Sequence, residues 1–530
     1  MKAEEDSRTA DIERRITMTK KTLAILLTFL MIFSVVSCGK AGSDKSEDVA
    51  VPKDTDSPVT TKSELADFID NFVPPVTTAE TATCDGWEQP TYDFGGHEFK
   101  FLNSSPIHSM YVYLTPDATG DFMDEGCVLR NILTQYKFNI TITEETQPFE
   151  ELASYAQTLI QSGEQIYDAM YIGCQDLTPL ISENLFVDLL TVPNLNIDMV
   201  WWDQQFIERN IIEDRLFYAT SDLNLMALES VWVMYFNEDK MQDLGLDSPY
   251  DLVVDGKWTM EELNKYSKAA ADLNGDSSFE YDASGLATYG EVSVAGIENQ
   301  RLYSLGAEYV ERNDMGRYEF TAHENESFWD AWVALSDYFG SSDGRFVYGS
   351  KDNMEQDIFL KIFEDDRALF LSAELEYAPI LRDMKGAFGL LPQPKYDEEQ
   401  DSYESSVGGN VLSFCIPATN KELTRTGIIV DYLTYESYRS LLPRYYDTRL
   451  ASKSLTKDES RQCLEIIRYT KGLEVSVPYG WTRDLSDELC HLAREGGTEI
   501  ASTILAYHEA CITAINKTYE EYPANNKVKY

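Results

Sequence analysis

Cys38 is the residue of this 530-residue sequence whose setting implies the most definite chemistry. It follows small Ser37, and the two close an apolar run that begins after Lys20-Lys21 and carries Leu23, Ile25, Leu26, Phe29 and Ile32. The run is shorter than the ~18–20 residues that cross a bilayer as a permanent helix. It reads as the core of a cleavable export signal, with the two lysines holding its amino end at the inner membrane face. A cysteine at the cleavage point resembles a bacterial lipobox, and that resemblance implies a thiol that is acylated and becomes the first residue of the processed chain. The plainer alternative is an ordinary cleaved signal with a coincidental cysteine. Residues 1–17 are polar and mixed in charge, whereas a start at Met18 gives a conventional short basic head. Residues 1–37 are therefore excluded from the fold, with 1–17 read as a mis-assigned start.

A second stretch has metal-ligand spacing. Oxygen-bearing side chains alternate at Asp272, Asn274, Asp276, Ser278 and Glu280, as in a calcium loop. Ser277 stands where such a loop needs glycine, and Ala283 where it needs a bidentate acid. The plain reading is a polar surface turn, with no cofactor required and calcium the one candidate.

The signatures of catalysis are missing. The sequence has no H-E-x-x-H, no G-x-S-x-G and no G-x-x-x-x-G-K-[ST]. Its five histidines (His97, His108, His323, His491 and His508) fall at no metal spacing. Seven cysteines follow Cys38, at 84, 127, 174, 415, 463, 490 and 511, with no C-x-x-C pair, so most are expected as small buried apolar residues. Carboxylate pairs are common simply because 91 residues are Asp or Glu.

Those 91 acids stand against 44 Lys and Arg, a net charge of −47. Such a chain has no basic surface with which to hold nucleic acid phosphates or anionic lipid. Its 43% apolar and 12% aromatic content still supports a sizeable core, and its length suggests two lobes.

The elements that must position any site alternate along the chain. Residues 38–90 are rich in Pro, Ser, Thr and Asp and read as an extended acidic tether, with a transient turn near Leu65–Phe72. From Tyr92 the pattern changes. Residues 97–102 alternate as a strand, 124–136 carry a helical stripe, and Phe138, Ile140 and Ile142 alternate again, a strand–helix–strand unit that implies parallel pairing. Strands are also predicted at 167–172, 231–236, 367–371, 387–391 and 411–416. Helices are predicted at 149–160, 328–339, 354–363 and 423–433, with a long closing helix over 498–522. Asn237 is placed to cap a short helix ending at Gly245, and Thr259 with Glu262 to form a capping box beside a Trp258–Leu263 staple. Alternating strands and helices over this length predict an α/β fold.

Several phrases, taken in order, resemble the extracellular solute-binding proteins of ABC importers, specifically the carbohydrate-type (family 1) lipoproteins. They are Tyr92-Asp-Phe-Gly-Gly-His-Glu-Phe99, Gly120-Asp121 with Arg130-Asn131, Trp201-Trp202-Asp203 and Tyr235-Phe-Asn-Glu238. The series continues with Pro249 to Thr259, Phe363 to Leu369, Phe388 to Lys395, and Tyr445-Tyr446 through Arg461. The resemblance covers roughly residues 92–520, and the cysteine-terminated signal supports it independently. It implies a periplasmic-binding-protein-like type II fold, two α/β lobes with a hinge and an interlobe ligand cleft. The expected division is 91–222 plus 386–440 for one lobe and 223–385 plus 441–530 for the other. It further implies a monomer on the extracellular face of the membrane, with a carbohydrate ligand and an ABC permease as partners.

Sugar recognition needs aromatic faces and hydrogen-bonding groups in a largely preformed cleft, and in α/β sheets these lie at the carboxyl ends of strands. The rule selects loops at 104–105, 174–176, 221–222, 372–374 and 408–410. The candidate ligand-binding residues are Trp201, Trp202, Asp222, Trp232, Glu374, Tyr377, Gly409, Asn410 and Trp481. Core packing competes for each tryptophan and an Asx turn for Asp222, while Gly408-Gly409 suits either a simple turn or close backbone approach to a ligand. Trp258, Trp329 and Trp332 are assigned to packing. Other readings are the same fold with a peptide or polyol phosphate, a lipid-anchored glycoside hydrolase with two cleft carboxylates ~5–10 Å apart, or a sensory or adhesive surface protein.

Overall fold

The computed structural model describes residues 87, 90–105, 111–114, 122–349, 358–382, 384–448 and 457–522. Cys38, the apolar run and the Leu65–Phe72 turn lie outside the described residues. No helix among the described residues is long and apolar enough to cross a membrane.

Two sheets organise the fold. In the first, the order is Leu412–Cys415, Ala169–Gly173, His97–Ser104, Ile140–Gln147. His97–Ser104 runs parallel to both Ile140–Gln147 and Ala169–Gly173, as the strand–helix–strand pattern implies, because the helix Phe122–Phe138 carries the chain back between them. Leu412–Cys415 adds antiparallel to Ala169–Gly173 after a long excursion. The inner strand Ala169–Gly173 is buried along its whole length, which is why it reads as an apolar run rather than an alternation.

The second sheet has the order Phe388–Leu391, Trp232–Asn237, Ala368–Glu374, Tyr289–Val294, Phe346–Gly349. Ala368–Glu374 and Phe346–Gly349 flank Tyr289–Val294 in parallel, while Trp232–Asn237 is antiparallel to both of its neighbours. Trp232, at the start of its strand, therefore stands opposite Glu374 at the end of the next.

The lobe boundaries expected from sequence differ from this pairing in two places. Phe388–Leu391 belongs to the second sheet, although a boundary at 386 would give it to the first lobe. Leu442–Thr448 continues from Leu423–Glu436 through a π-helical turn and packs on Phe122–Phe138, where the Arg444 side chain covers Gly126. It thus stands with the first sheet, although a boundary at 441 would give it to the second lobe. In the second sheet two strands, Tyr289–Val294 and Phe346–Gly349, have no counterpart in the sequence reading.

Local signals fare unevenly. Asn237 caps its helix by accepting from the Lys240 amide at 2.8 Å. The Thr259 box does not form: Thr259 makes no side-chain cap bond, Glu262 is held by Lys265 at 2.8 Å, and the Met260 amide donates to the Lys395 carbonyl. Trp258 is fully buried and donates to the Pro392 carbonyl, so its assignment to packing holds. The described cysteines are free and buried. The tether ends earlier than position 90, because Trp87 packs on Tyr435 with ring centroids 4.1 Å apart.

Candidate ligand-binding site

The site forms where three backbone segments run side by side. Ser405–Ser406 pairs parallel with Lys471–Gly472, the Val407 amide donates to the Gly472 carbonyl, and the Gly408 amide donates to the Ser230 carbonyl at 2.9 Å. Two buried ion pairs pin the Arg468–Lys471 stretch to first-lobe residues. Arg468 meets Asp222 at 2.7 Å, and Lys471 meets Asp203. Burial raises the Asp222 carboxyl although Arg468 and Lys471 pull it down. For Arg468 the loss of hydration is the largest single effect, and the Asp222 charge and hydrogen bond together with Tyr446 and Tyr469 outweigh it, so the guanidinium stays charged.

Beside these segments lies a cavity of about 420 Å³. The first lobe contributes Gln175, just beyond the carboxyl end of Ala169–Gly173. The connecting segments contribute Ser406, Gly409, Glu474 and Ser476. The second lobe contributes Asn299, Gln300 and Tyr303 from the helix Ile297–Ser304, then Tyr309, and then Thr482, Arg483, Ser486 and Asp487 at the start of the helix Arg483–Arg494.

The helix Ile297–Ser304 is fixed by two charges on its buried side. Glu298 accepts from Arg494 at 2.5 Å and from the Gly296 amide at 2.9 Å. Arg301 pairs with Glu291 at 2.7 Å, both fully buried, and also donates to Gln393 and Ser372. Residues 299, 300 and 303 of this fixed helix line the cavity. Asn299 donates to Ser486 Oγ at 2.6 Å and accepts from the Tyr309 hydroxyl at 3.2 Å.

Two glycines sit at close approaches. A Cβ on Gly409 would lie 2.6 Å from Gln175 Nε2, and one on Gly408 would lie 3.0 Å from Glu374 Oε1. Glycine lets both side chains reach the backbone here. Burial, followed by the charge of Glu376, pushes the Glu374 carboxyl up to about 7. Glu474 is likewise pushed up to about 7 by burial, against the pull of hydrogen bonds from Ser476. Asp176, next to Gln175, is raised by burial while the Arg483 charge draws it back.

No family model and no curated protein matches this chain. Solved structures do. A cyclo/maltodextrin-binding protein complexed with maltotetraose matches with a TM-score of 0.52 at 11% identity, over 81% of this chain and 98% of its own. The cyclic alpha-maltosyl-1,6-maltose binding protein of Arthrobacter globiformis gives 0.52 at 11% identity, over 80% and 99%. The maltose-binding periplasmic protein MalE of Listeria monocytogenes, in complex with maltose, gives 0.50 at 13% identity, over 81% and 99%. This chain has the two-lobed type II fold of the periplasmic solute-binding proteins. At such identities the likeness speaks for architecture, and function must be argued from the cavity.

Within the solute-binding fold, the residues nominated from sequence separate. Gly409 lines the cavity. Asn410 is exposed beside it. Glu374 and Trp232 face each other across paired strands, with Glu374 against Gly408. Tyr377 packs on Phe359 at 5.3 Å. The other tryptophans are core. Trp201 is fully buried and donates to Asp431, Trp202 packs on Phe414, and Trp481 stacks on Tyr479 and donates to Thr518. Asp222 is consumed by Arg468.

The calcium-like loop turns its oxygens on itself. Asp272 accepts from the Asn274 amide, Asp276 from the Leu286 and Ala287 amides, and Glu280 from the Ser278 hydroxyl. Among the described residues no three His, Cys, Asp or Glu side chains gather as a metal would need.

Sequence reasoning missed Asn299, Gln300, Tyr303, Tyr309, Glu474 and Asp487. For the first three a signal existed, since they follow the carboxyl end of the unrecognised strand Tyr289–Val294.

Proposed function

We propose that the chain is the substrate-binding component of an ABC importer. It is held on the outer face of the cell membrane through lipidated Cys38, captures a sugar or short oligosaccharide between its lobes, and passes it to a membrane permease. It acts as a monomer and performs no reaction of its own.

The cavity carries this reading. Its about 420 Å³ lies within the ~300–1,000 Å³ range of small-molecule sites. The first lobe brings the Gln175 amide, the second lobe and the connecting segments bring amide, hydroxyl and carboxyl groups, and the aromatic residues Tyr303 and Tyr309 are part of the lining. That mixture suits a pyranose, which presents hydroxyls at its edge and C–H groups on its face. Maltose and maltotetraose held by proteins of the same fold support the reading. A ligand that touches both lobes only in the closed state shifts the population toward closure.

A thermal-shift screen of neutral saccharides tests it. A ligand at 100 times Kd should add ~2.7 kcal/mol of stability. If no saccharide in a broad panel raises the melting temperature, the carbohydrate reading fails. Anchoring is tested separately: a Cys38→Ser protein should fold and bind ligand yet appear in the medium, and its retention in the membrane fraction would remove the lipid anchor.

One observation favours a second reading, glycoside hydrolysis. A buried carboxyl at about 7, as at Glu474, suits a general acid. Steady release of nitrophenol from a nitrophenyl glycoside would favour it over capture.

A further inference from the structure

A second seam joins the lobes beside the connecting segments. On the first-lobe side lies the helix Gln204–Asn210 with the turn that follows it. This stretch is tied to the first sheet, because the Leu189 amide donates to the Leu216 carbonyl at 2.7 Å and the Phe414 amide to the Ala219 carbonyl at 2.8 Å. On the second-lobe side lies a hairpin of two short antiparallel strands, Val310–Arg312 and Tyr318–Phe320. It begins directly after Tyr309, which lines the cavity and packs on Phe328 of the helix Glu326–Phe339.

A helix leaves its last carbonyls without partners of its own. In Gln204–Asn210 the Ile207 carbonyl is met by the Ile211 amide. The next two are met from the other lobe. Arg312 donates to the Glu208 carbonyl at 2.6 Å and to the Ile211 carbonyl at 2.9 Å, and the Tyr318 hydroxyl donates to the Arg209 carbonyl at 2.7 Å. A guanidinium at the carboxyl end of a helix also meets the negative end of its dipole. In return, the Arg209 side chain pairs with Glu308, just ahead of the hairpin, and lies over the Tyr303 ring at 4.9 Å. At the rim Arg317 faces Glu213 at 3.5 Å.

A chain of net charge −47 repels itself, and parting the lobes would relieve that repulsion. The seam sets Arg209, Arg312 and Arg317 against it. We propose that the hairpin is a clasp that holds the lobes in the cavity-forming arrangement before any ligand arrives. Arg312 is exposed, so water can replace it on both carbonyls when the lobes part, as a reversible clasp requires. Neither Arg312 nor Tyr318 lines the cavity, so the clasp acts without touching the ligand. Its effect on capture is through population: apparent affinity scales with the fraction of chains already in the competent arrangement. The clasp does not depend on which solute fills the cavity.

Small-angle X-ray scattering of the full chain with no ligand added tests this. The tether is common to every sample, so differences between variants report on the lobes. The unaltered protein should scatter as the arrangement described above. Arg312→Met combined with Tyr318→Phe removes the donors while keeping the Arg312 stem and the Tyr318 ring. That protein should show a larger radius of gyration and a broader distance distribution, with circular dichroism unchanged. Arg312→Lys in place of Arg312→Met keeps the charge and a donor and should move the curve back toward that of the parent. A double variant whose curve superimposes on the parent's overturns the clasp, as does a parent that already scatters as parted lobes. Should the double variant not fold, Arg312→Met alone, at an exposed position, decides by the same comparison. Because no ligand is used, failure of the carbohydrate reading would leave this result standing.

Discussion

The Asp222 carboxylate meets the Arg468 guanidinium at 2.7 Å with both side chains about 3–4% exposed, which ties a first-lobe residue to the helix Asp458–Thr470. Removing one member of such a pair leaves the other charge buried and unmet, at a cost of ~3–5 kcal/mol. Arg468→Met is expected to lower stability by that amount in urea unfolding, and Asp222→Asn by less, because an amide can still accept from the guanidinium. The double variant should be more stable than Arg468→Met alone. A double-mutant cycle with no coupling would show that the pair contributes nothing to holding the two elements together.

Glu374 and Glu474 fix the sign of a pH effect. Both carboxyls sit near 7 in the folded chain, above their usual value, because burial disfavours the charged form. Between roughly pH 4.5 and 7 the folded state therefore holds more protons than the unfolded state. Their contribution to stability is largest at the acid end of that window and is lost as pH rises through 7. The net charge of −47 works in the same direction through self-repulsion. Melting temperature should fall from pH 5 to pH 8, and Glu374→Gln and Glu474→Gln should each flatten the slope. A slope unchanged in both variants would assign the effect to overall charge alone.

Two glycines separate binding from stability. At Gly409 an added methyl meets the end of a flexible side chain, Gln175 Nε2, at 2.6 Å. At Gly427 it meets the Pro193 carbonyl oxygen, a backbone atom, at 2.1 Å. Gly409→Ala is expected to displace Gln175 and weaken ligand binding several-fold with a melting temperature within a few degrees of the parent. Gly427→Ala forces the helix Leu423–Glu436 away from its neighbour and should cost ~1–3 kcal/mol, the usual price of overpacking, with binding unchanged where the chain remains folded. The reverse pattern would place the cavity elsewhere.

Much of the architecture was legible because burial on both faces writes long apolar runs and helices write stripes. Ala169–Gly173 and Trp232–Asn237 were readable in that way. Tyr289–Val294 was not. Gly290, Glu291 and Ser293 break its apolar pattern, and Glu291 is tolerated in the sheet because Arg301 from the following helix and the Tyr338 hydroxyl both reach it. With that strand unseen, the rule of carboxyl ends had no reason to select residues 299 and 300. The same rule did select the loops holding Gln175 and Gly409, which line the cavity. Aromatic size misled: Trp201 and Trp481 were nominated as platforms, yet each indole N–H finds a buried acceptor within the core. Which tryptophan faces a ligand is decided by tertiary partners, and local sequence does not carry them.

Trp87 offers the remaining expectation. Composition places it in a tether, yet its indole donates to Asp431 Oδ2 at 2.8 Å and its ring rests on Tyr435 and, edge-on, on Trp201. Asp431 also accepts from Asn196 Nδ2 at 2.6 Å, from the Asn196 amide at 3.3 Å and from Trp201 Nε1 at 3.2 Å, so four donors converge on one carboxylate. Burial raises that carboxyl, and the four donors draw it back. Trp87→Ala removes one donor and a large aromatic contact from a site water can partly re-enter. The expected loss is ~1–3 kcal/mol in urea unfolding, with saccharide affinity unchanged because none of these residues lines the cavity. Trp87→Phe keeps the ring and should recover most of it. A chain beginning at residue 91 should match Trp87→Ala. If it is as stable as the parent, the contact is not part of the folded lobe's support and the tether is free up to residue 90.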